Sequence, residues 1–416
     1  MKYLANEMGR ICLLAAGIGM AGAFAGPARA QEDLPSREEM WRVIQAQQKE
    51  IDALKAAQAG TEKRVIVTEE KVEATGAVVA QQMEKSDASP AGWWNNTSIG
   101  GYGEMHYNGG RRDEIDFHRF VLFVEHQFTD DIRFFSEVEL EHALSGEGKK
   151  GEVELEQAYI EFGLGGMQKA QTGVFLLPIG ILNETHEPPT FYGVERNGVE
   201  TNIIPTTWWE GGAQLLGELG HGFSYNAGVH SGLDVPTAGA NAFRPRNGRT
   251  KVSEAPANDP AMTARLRWNG MPGVELSVSG QYQNDITQNA TDVDAYLVET
   301  HADIRRGPWG LRALYARWEI DGAAAKALGR DEQYGWYAEP SYRFAVPLGE
   351  IGLFTRFSRW DNNAGDNRDS KFDQLQFGMN YWPHPDVVLK ADYQFDDAPA
   401  STSEDDRFNL GVGFQF

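Results

Sequence analysis

Phe408-Asn409-Leu410-Gly411-Val412-Gly413-Phe414-Gln415-Phe416 ends the chain, and its rhythm decides the fold. Phe408, Leu410, Val412, Phe414 and Phe416 fall on one face of an extended strand, while Asn409, Gly411, Gly413 and Gln415 fall on the other. At the end of a soluble sandwich such a strand would leave an apolar edge open to other chains. A closed transmembrane barrel has no such edge, and it requires oily residues outside and polar ones inside. The same two-residue period recurs upstream. Val387, Leu389, Ala391 and Tyr393 alternate with Val388, Lys390, Asp392 and Gln394, and Tyr296, Val298, Ala302 and Ile304 with Glu299, His301, Asp303 and Arg305. Segments of this kind number about sixteen between Ile99 and Phe416, the size of an aqueous barrel. The expected fold is an all-β, antiparallel transmembrane barrel of about sixteen strands preceded by an α-helical coiled coil.

Connections between the strands alternate in length. Short turns fall at 269–273, 307–308, 347–349 and 383–385, and longer polar loops at 233–260, 321–331 and 361–371. The short set is assigned to the periplasm and the long set to the outside. Trp208, Trp209, Trp268, Trp309, Trp318, Trp336, Trp360 and Trp382 stand near strand ends, where the interfacial girdles of a membrane barrel sit.

The rest of the chain agrees with export. Lys2 and Arg10 flank an apolar, small-residue run at 11–24, and Ala28-Arg29-Ala30 is a cleavage site, so 1–30 reads as a signal peptide. Cys12, the one cysteine, lies inside it, and Gly9-Arg10-Ile11 before it is not a lipidation site. Without thiols or disulfides the mature protein suits the outer membrane of a Gram-negative bacterium. Residues 31–90 form a separate segment. Ile44, Ile51, Val65, Val72 and Val79 share one heptad position, with Gln58 the exception, and Met40 and Leu54 share a weaker partner position. This predicts a periplasmic oligomerisation coiled coil, weakened by Gly60 and Gly76, with a short linker before the barrel domain at 91–416. The formal charge of −22 excludes a nucleic-acid binder, which needs clustered cations.

Residues 178–209 (PIGILNETHEPPTFYGVERNGVETNIIPTTWW) break the alternation. The stretch is too rich in Pro, Asn and Thr for a strand and too long for a hairpin turn. It offers Glu184, His186, Glu187, Glu195, Arg196 and Glu200, which either line a constriction and set selectivity or pin the loop to the wall by internal ion pairs. Arg196 with a neighbouring glutamate is the expected pair. This loop, with GVFLLPIG before it at 173–180, resembles the phosphate-selective porin O and P family, as do Phe135-Ser136-Glu137-Val138-Glu139-Leu140-Glu141-His142 and the terminal Phe strand. The resemblance implies a homotrimer of barrels embedded in outer-membrane lipid and a passive channel for small polar or ionic solutes, phosphate or other anions among them. The terminal strand, ending in Phe416, is similar to the insertion signal read by the barrel assembly machinery.

Charge does not single out one solute. Arg133, Arg265, Arg267, Arg305, Arg317, Arg343, Arg356 and Lys390 have lumen parity, but acids outnumber them, which favours cations. Glu137, Glu139 and Glu141 and their counterparts Glu152, Glu154 and Glu156 form two carboxylate stripes. These are either a cation-attracting face with a weak divalent site or a solvated face bridged by Lys149, Lys150 and Arg133. No HExxH motif, phosphate-binding glycine loop or metal-spaced Cys/His set occurs, so no cofactor or resident metal is expected. His230-Ser231 suggests an outer-membrane lipase, but adjacent strand residues point to opposite faces and cannot pair as base and nucleophile. A third reading makes the barrel an anchor and the coiled coil a tether to peptidoglycan or a periplasmic partner.

Overall fold

The alternation closes on itself. In the computed structural model each strand pairs antiparallel with its sequence neighbours, and β1 (Thr97–Gly109) pairs with β16 (Arg407–Gln415). The structure describes residues 92–416 other than 145–147, 149, 290–291 and 401, together with Trp41, Gln45 and Gln48. Among the described residues the sheet has sixteen strands and no free edge, so no backbone ladder is left unpaired. At the seam Gly101 and Phe416 exchange backbone hydrogen bonds of 3.0 and 2.9 Å. The predicted signal peptide and the heptad positions of the predicted coiled coil lie outside the described residues. Trp41, Gln45 and Gln48 are helical.

Side-chain parity falls as the sequence requires. Leu410, Phe408, Leu389, Leu353 and Leu276 are exposed on the outer face, while Asn409, Lys390, Asp392, Asn380 and Glu299 are buried on the inner one. That inversion of a soluble protein suits a barrel in lipid. Among the described residues no helix is long and apolar enough to cross a membrane. Seven connections are short (130–131, 164–167, 221–222, 272–273, 307–308, 347–348 and 385–386), and β1 begins at the same end of the barrel.

The two longest connections, 177–208 and 231–260, fold into the barrel; the first was expected to narrow the lumen, whereas the second departs from its assignment to the external loops. Their apolar side chains, among them Ile179, Ile203, Ile204, Leu233, Val235 and Phe243, pack with Trp318, Tyr337 and Trp360 of the wall. The lumen therefore holds an oily core of its own, driven by the same burial of apolar area that holds a soluble domain. This corrects the assignment of the tryptophans. Trp208, Trp209, Trp318, Trp360 and Trp382 are buried, and only Trp309 of those assigned to the girdles is largely exposed. Parity cannot reveal an inner apolar surface that exists only because loops cover it.

Candidate pore constriction

The inward loop begins at the end of β5 (Gln168–Leu176) and returns to β6 (Trp209–Gly220). Asn183 closes its neck. The Asn183 amide donates to Leu177 O (2.8 Å) and Trp208 O (2.9 Å), and its oxygen accepts from Trp208 N (2.7 Å). From the neck the chain crosses the lumen. Asn380 and Trp382 donate to the carbonyls of Phe191 and Pro189, at 2.9 and 3.1 Å. Lys390 Nζ donates to Gly193 O at 2.8 Å and lies 3.4 Å from the centre of the Phe191 ring. Arg356, ion-paired to Glu339 at 2.7 Å, donates to Tyr192 O and Glu195 O. Gly413 makes the seat on β16 possible, since a Cβ there would stand 2.2 Å from Pro188 Cβ.

Polar groups of the loop fall into three kinds. Glu200 is completely enclosed within α1 (Gly198–Asn202). It accepts hydrogen bonds from Ile181 N (2.9 Å), Leu182 N (2.6 Å), Asn197 Nδ2 (3.2 Å) and Tyr337 OH (2.8 Å). It faces neither lumen cavity, so the expectation that Glu200 lines the constriction is corrected: its carboxylate is consumed by the fold. Glu184 is ion-paired with Arg265, and the backbone carbonyl of Glu187 accepts from Thr190 N at 2.9 Å. Glu195 and Arg196 are the third kind, and they line the cavity on the side of the long connections.

The loop separates two cavities. One of about 870 Å³ opens among the short turns and is lined by Glu184, Tyr192, Arg267, Asp303, Arg312 and Arg343, among others. The other, about 510 Å³, lies on the side of the long connections and is lined by Arg119, Glu195, Arg196, Arg246, Arg249 and Lys251, among others. Glu195 accepts from Asn108 Nδ2 at 2.9 Å and meets His106 Nδ1 at 3.1 Å. Burial alone would push its carboxyl up, but the His106 contact, the nearby His118 and the Asn108 bond together hold it well below the usual carboxylate range.

Arg196 does not take the predicted glutamate partner. Its neighbour Glu195 is turned to His106, and Glu200 is turned to backbone N–H groups, so Arg196 Nη1 donates to Thr207 Oγ1 at 2.7 Å and Nη2 is buried without a partner. Arg246 donates to the carbonyls of Thr201 (2.7 Å) and Thr206 (3.0 Å), and Arg249 to that of Thr207 (2.5 Å). Among the described residues none of the three has a carboxylate within ion-pair distance. Burial, then Arg249 and Arg196, lowers the Arg246 pKa; burial, then Arg196, lowers that of Arg249; burial, then Arg119, lowers that of Arg196. The guanidiniums stay charged at neutral pH, and the direction shows that they sense one another. Three like charges on neutral oxygens, a hydroxyl and backbone carbonyls, form a place where an anion is the missing partner.

The wall carboxylates are largely neutralised. Glu104 and Glu139 pair with Arg119 at 2.9 and 3.3 Å, and Lys251 pairs with both Glu152 and Glu154. Arg133 does not bridge the acidic stripes; it pairs with Glu125 (3.3 Å) and Glu161 (3.2 Å) nearer the short turns. Lys149 lies outside the described residues. Glu137 and Glu139 are buried towards the lumen, whereas Glu141 borders the smaller cavity. Glu152 precedes β4 (Val153–Gly163). At the other candidate chemistry, Ser231 Oγ donates to Glu210 at 2.5 Å and His230 Nε2 meets Thr263 at 2.8 Å, so the two are not hydrogen-bonded to each other.

Arg246 and Arg249 were not singled out from sequence. The available signal was a basic run, Arg244-Pro245-Arg246-Asn247-Gly248-Arg249, beside apolar residues in an otherwise acidic chain.

Comparison with known proteins places this geometry. The family described as phosphate-selective porin O and P matches residues 99–416. A protein of Aquifex aeolicus (strain VF5), itself described as uncharacterised, is 31% identical over 333 residues, covering 72% of this chain and 76% of its own. The anion-selective porin of Comamonas acidovorans superposes with a TM-score of 0.54 at 12% identity, covering 77% of this chain and 99% of its own. In-vitro folded OmpT of Vibrio cholerae, an outer-membrane protein in its trimer form, does so with a TM-score of 0.51 at 11% identity, covering 77% and 99%.

Proposed function

The chain belongs to the phosphate-selective porin O and P family and is an outer-membrane channel, and we propose that it conducts small anions, with Arg196, Arg246 and Arg249 holding phosphate or a similar oxyanion in transit. One observation carries the reading: three guanidiniums face a lumen cavity with only neutral oxygens as partners. A tetrahedral oxyanion supplies the acceptors they lack, and guanidinium geometry matches it two bonds at a time. Conduction also requires that the hold be weak enough to release.

The overall charge of −22 points the other way but acts at longer range. Screening confines exposed charge to about 8–10 Å at physiological salt, and of the wall acids near the loop Glu104 and Glu139 are ion-paired with Arg119 and Glu339 with Arg356. The local field at the three arginines favours an anion. A homotrimer is part of the same proposal, supported by the family and by the trimer form of OmpT.

The test is conductance of the purified protein in planar bilayers under a potassium chloride gradient, with phosphate added. Wild type is expected to show a reversal potential of anion sign and inhibition of chloride current by phosphate. In Arg246→Gln/Arg249→Gln the phosphate concentration for half-inhibition rises at least tenfold. Unchanged inhibition, or cation selectivity in the wild type, refutes the reading.

A further inference from the structure

His186 sits in the part of the loop that presses on β3 (Ile132–Glu141) and β4, and its neighbour Glu156 also borders the smaller cavity that Arg196, Arg246 and Arg249 line. Its Nδ1 faces the carbonyl of Asn183 at 3.2 Å, so that nitrogen carries the hydrogen and Nε2 is left as a donor of its lone pair. Nε2 lies 3.5 Å from Glu137 Oε1 and 3.5 Å from Glu156 Oε2. Glu137 and Glu156 are each 1% exposed and His186 is 3% exposed. All three atoms are buried without a hydrogen-bond partner, and all lie within 4.8 Å of one another. The hydroxyl of Tyr102, a wholly buried residue whose ring stands edge-on to His186 at 5.8 Å, has no partner either.

The spacing discriminates between occupants. A charge-assisted N–H···O bond closes to about 2.7–2.9 Å, and neither contact does. Nitrogen and oxygen ligands at about 2.0–2.2 Å from a tetrahedral cation stand about 3.4 Å apart, which is the separation found. From this geometry we propose that Glu137, Glu156 and His186 bind a divalent first-row transition metal of the zinc class, which fastens the inward loop to the barrel wall. Two carboxylates and a neutral imidazole cancel the ion's charge, which makes its burial tolerable. The imidazole disfavours magnesium and calcium, which prefer all-oxygen sites. Gln157 Nε2 donates to the second oxygen of Glu137 at 2.7 Å and so orients that ligand.

The backbone is shaped for the same purpose. Pairing of β3 with β4 slips between Glu137 and Val138, where Glu137 faces Gln157 and Val138 faces Leu155. Glu156 is the extra residue of a β-bulge, a device that re-aims a side chain. The bulge lets Glu156 and Gln157 both attend to the lumen side, although strict alternation would separate them. The competing occupant is a proton. Burial opposes the charged imidazolium, but Glu137 and Glu156 together push His186 up to about 10 in the absence of metal, and a bound metal displaces that proton.

The experiment uses the full-length protein in detergent, stripped with chelator, then incubated with zinc or magnesium and passed through a desalting column. Wild type is expected to retain one zinc per chain and no magnesium, and cobalt in place of zinc is expected to give visible bands of low-symmetry coordination. His186→Gln and Glu156→Gln are expected to lose at least nine-tenths of the metal, with folding checked by heat-modifiable migration on gels. A partly exposed cluster of Asp116, His118 and His142 is the control, since it also gathers metal-binding atoms. Zinc lost in His142→Ala but kept in His186→Gln would place the metal there and overturn the proposal. So would a folded wild type that retains no zinc.

Discussion

Glu195 holds its position in the loop through charge, and the consequence for pH has a definite sign. Its carboxyl is depressed by the His106 contact despite burial. A depressed acid contributes stability that is complete above the ordinary carboxylate value of about 4.3 and is lost as pH falls below it. Protease cleavage within 178–209 is therefore expected to accelerate as pH falls below about 4 relative to pH 5. Glu195→Gln is expected to raise cleavage at neutral pH and to flatten that acid limb; an identical acid limb in the variant would show that other groups anchor the loop. Tyr337 gives a second test at this scale. Tyr337→Phe removes one hydrogen bond to the buried Glu200 carboxylate and is expected to lower stability by about 1.5–3 kcal/mol, read as the melting temperature of the folded band.

At the scale of elements, the loop is a small folded body inside a barrel. Its neck depends on Asn183, which satisfies three buried backbone groups. Asn183→Ala leaves Trp208 N unpaired, while Trp208 O and Leu177 O keep their bonds from Leu177 N and Ile179 N, and is expected to destabilise the loop by about 1–3 kcal/mol. Larger and noisier single-channel conductance steps, as the loop leaves the lumen, would register it. The strands were legible in the sequence because a period of two is a local property: Leu389, Lys390, Ala391 and Asp392 declare their faces without reference to anything distant. The irregular composition of 178–209 likewise marked His186, Glu195 and Arg196. What was illegible needs contacts between segments far apart. Arg249 meets Thr207 across some forty residues of chain, the buried tryptophans are covered by loops that parity does not see, and the bulge at Glu156 breaks the alternation from which its direction was inferred.

For the whole molecule, closure is the decisive event, because sixteen strands with one seam have no stable open form in lipid. Phe416 completes that seam by exchanging backbone hydrogen bonds with Gly101. Deleting Phe416 is expected to reduce severalfold the folded, heat-modifiable protein recovered from outer membranes, and an undiminished yield would separate the terminal aromatic from assembly. The inward fold of 177–208 and 231–260 has a further result for how a cell carrying this protein meets its surroundings. The two stretches that could have formed the tallest crests fold largely inward, so an antibody or bacteriophage is left mainly with the lower crests at 110–113, 142–152, 284–293, 322–331, 362–371 and 398–406 to grip. Changes in immune or viral pressure would then rewrite those crests while leaving the solute path untouched.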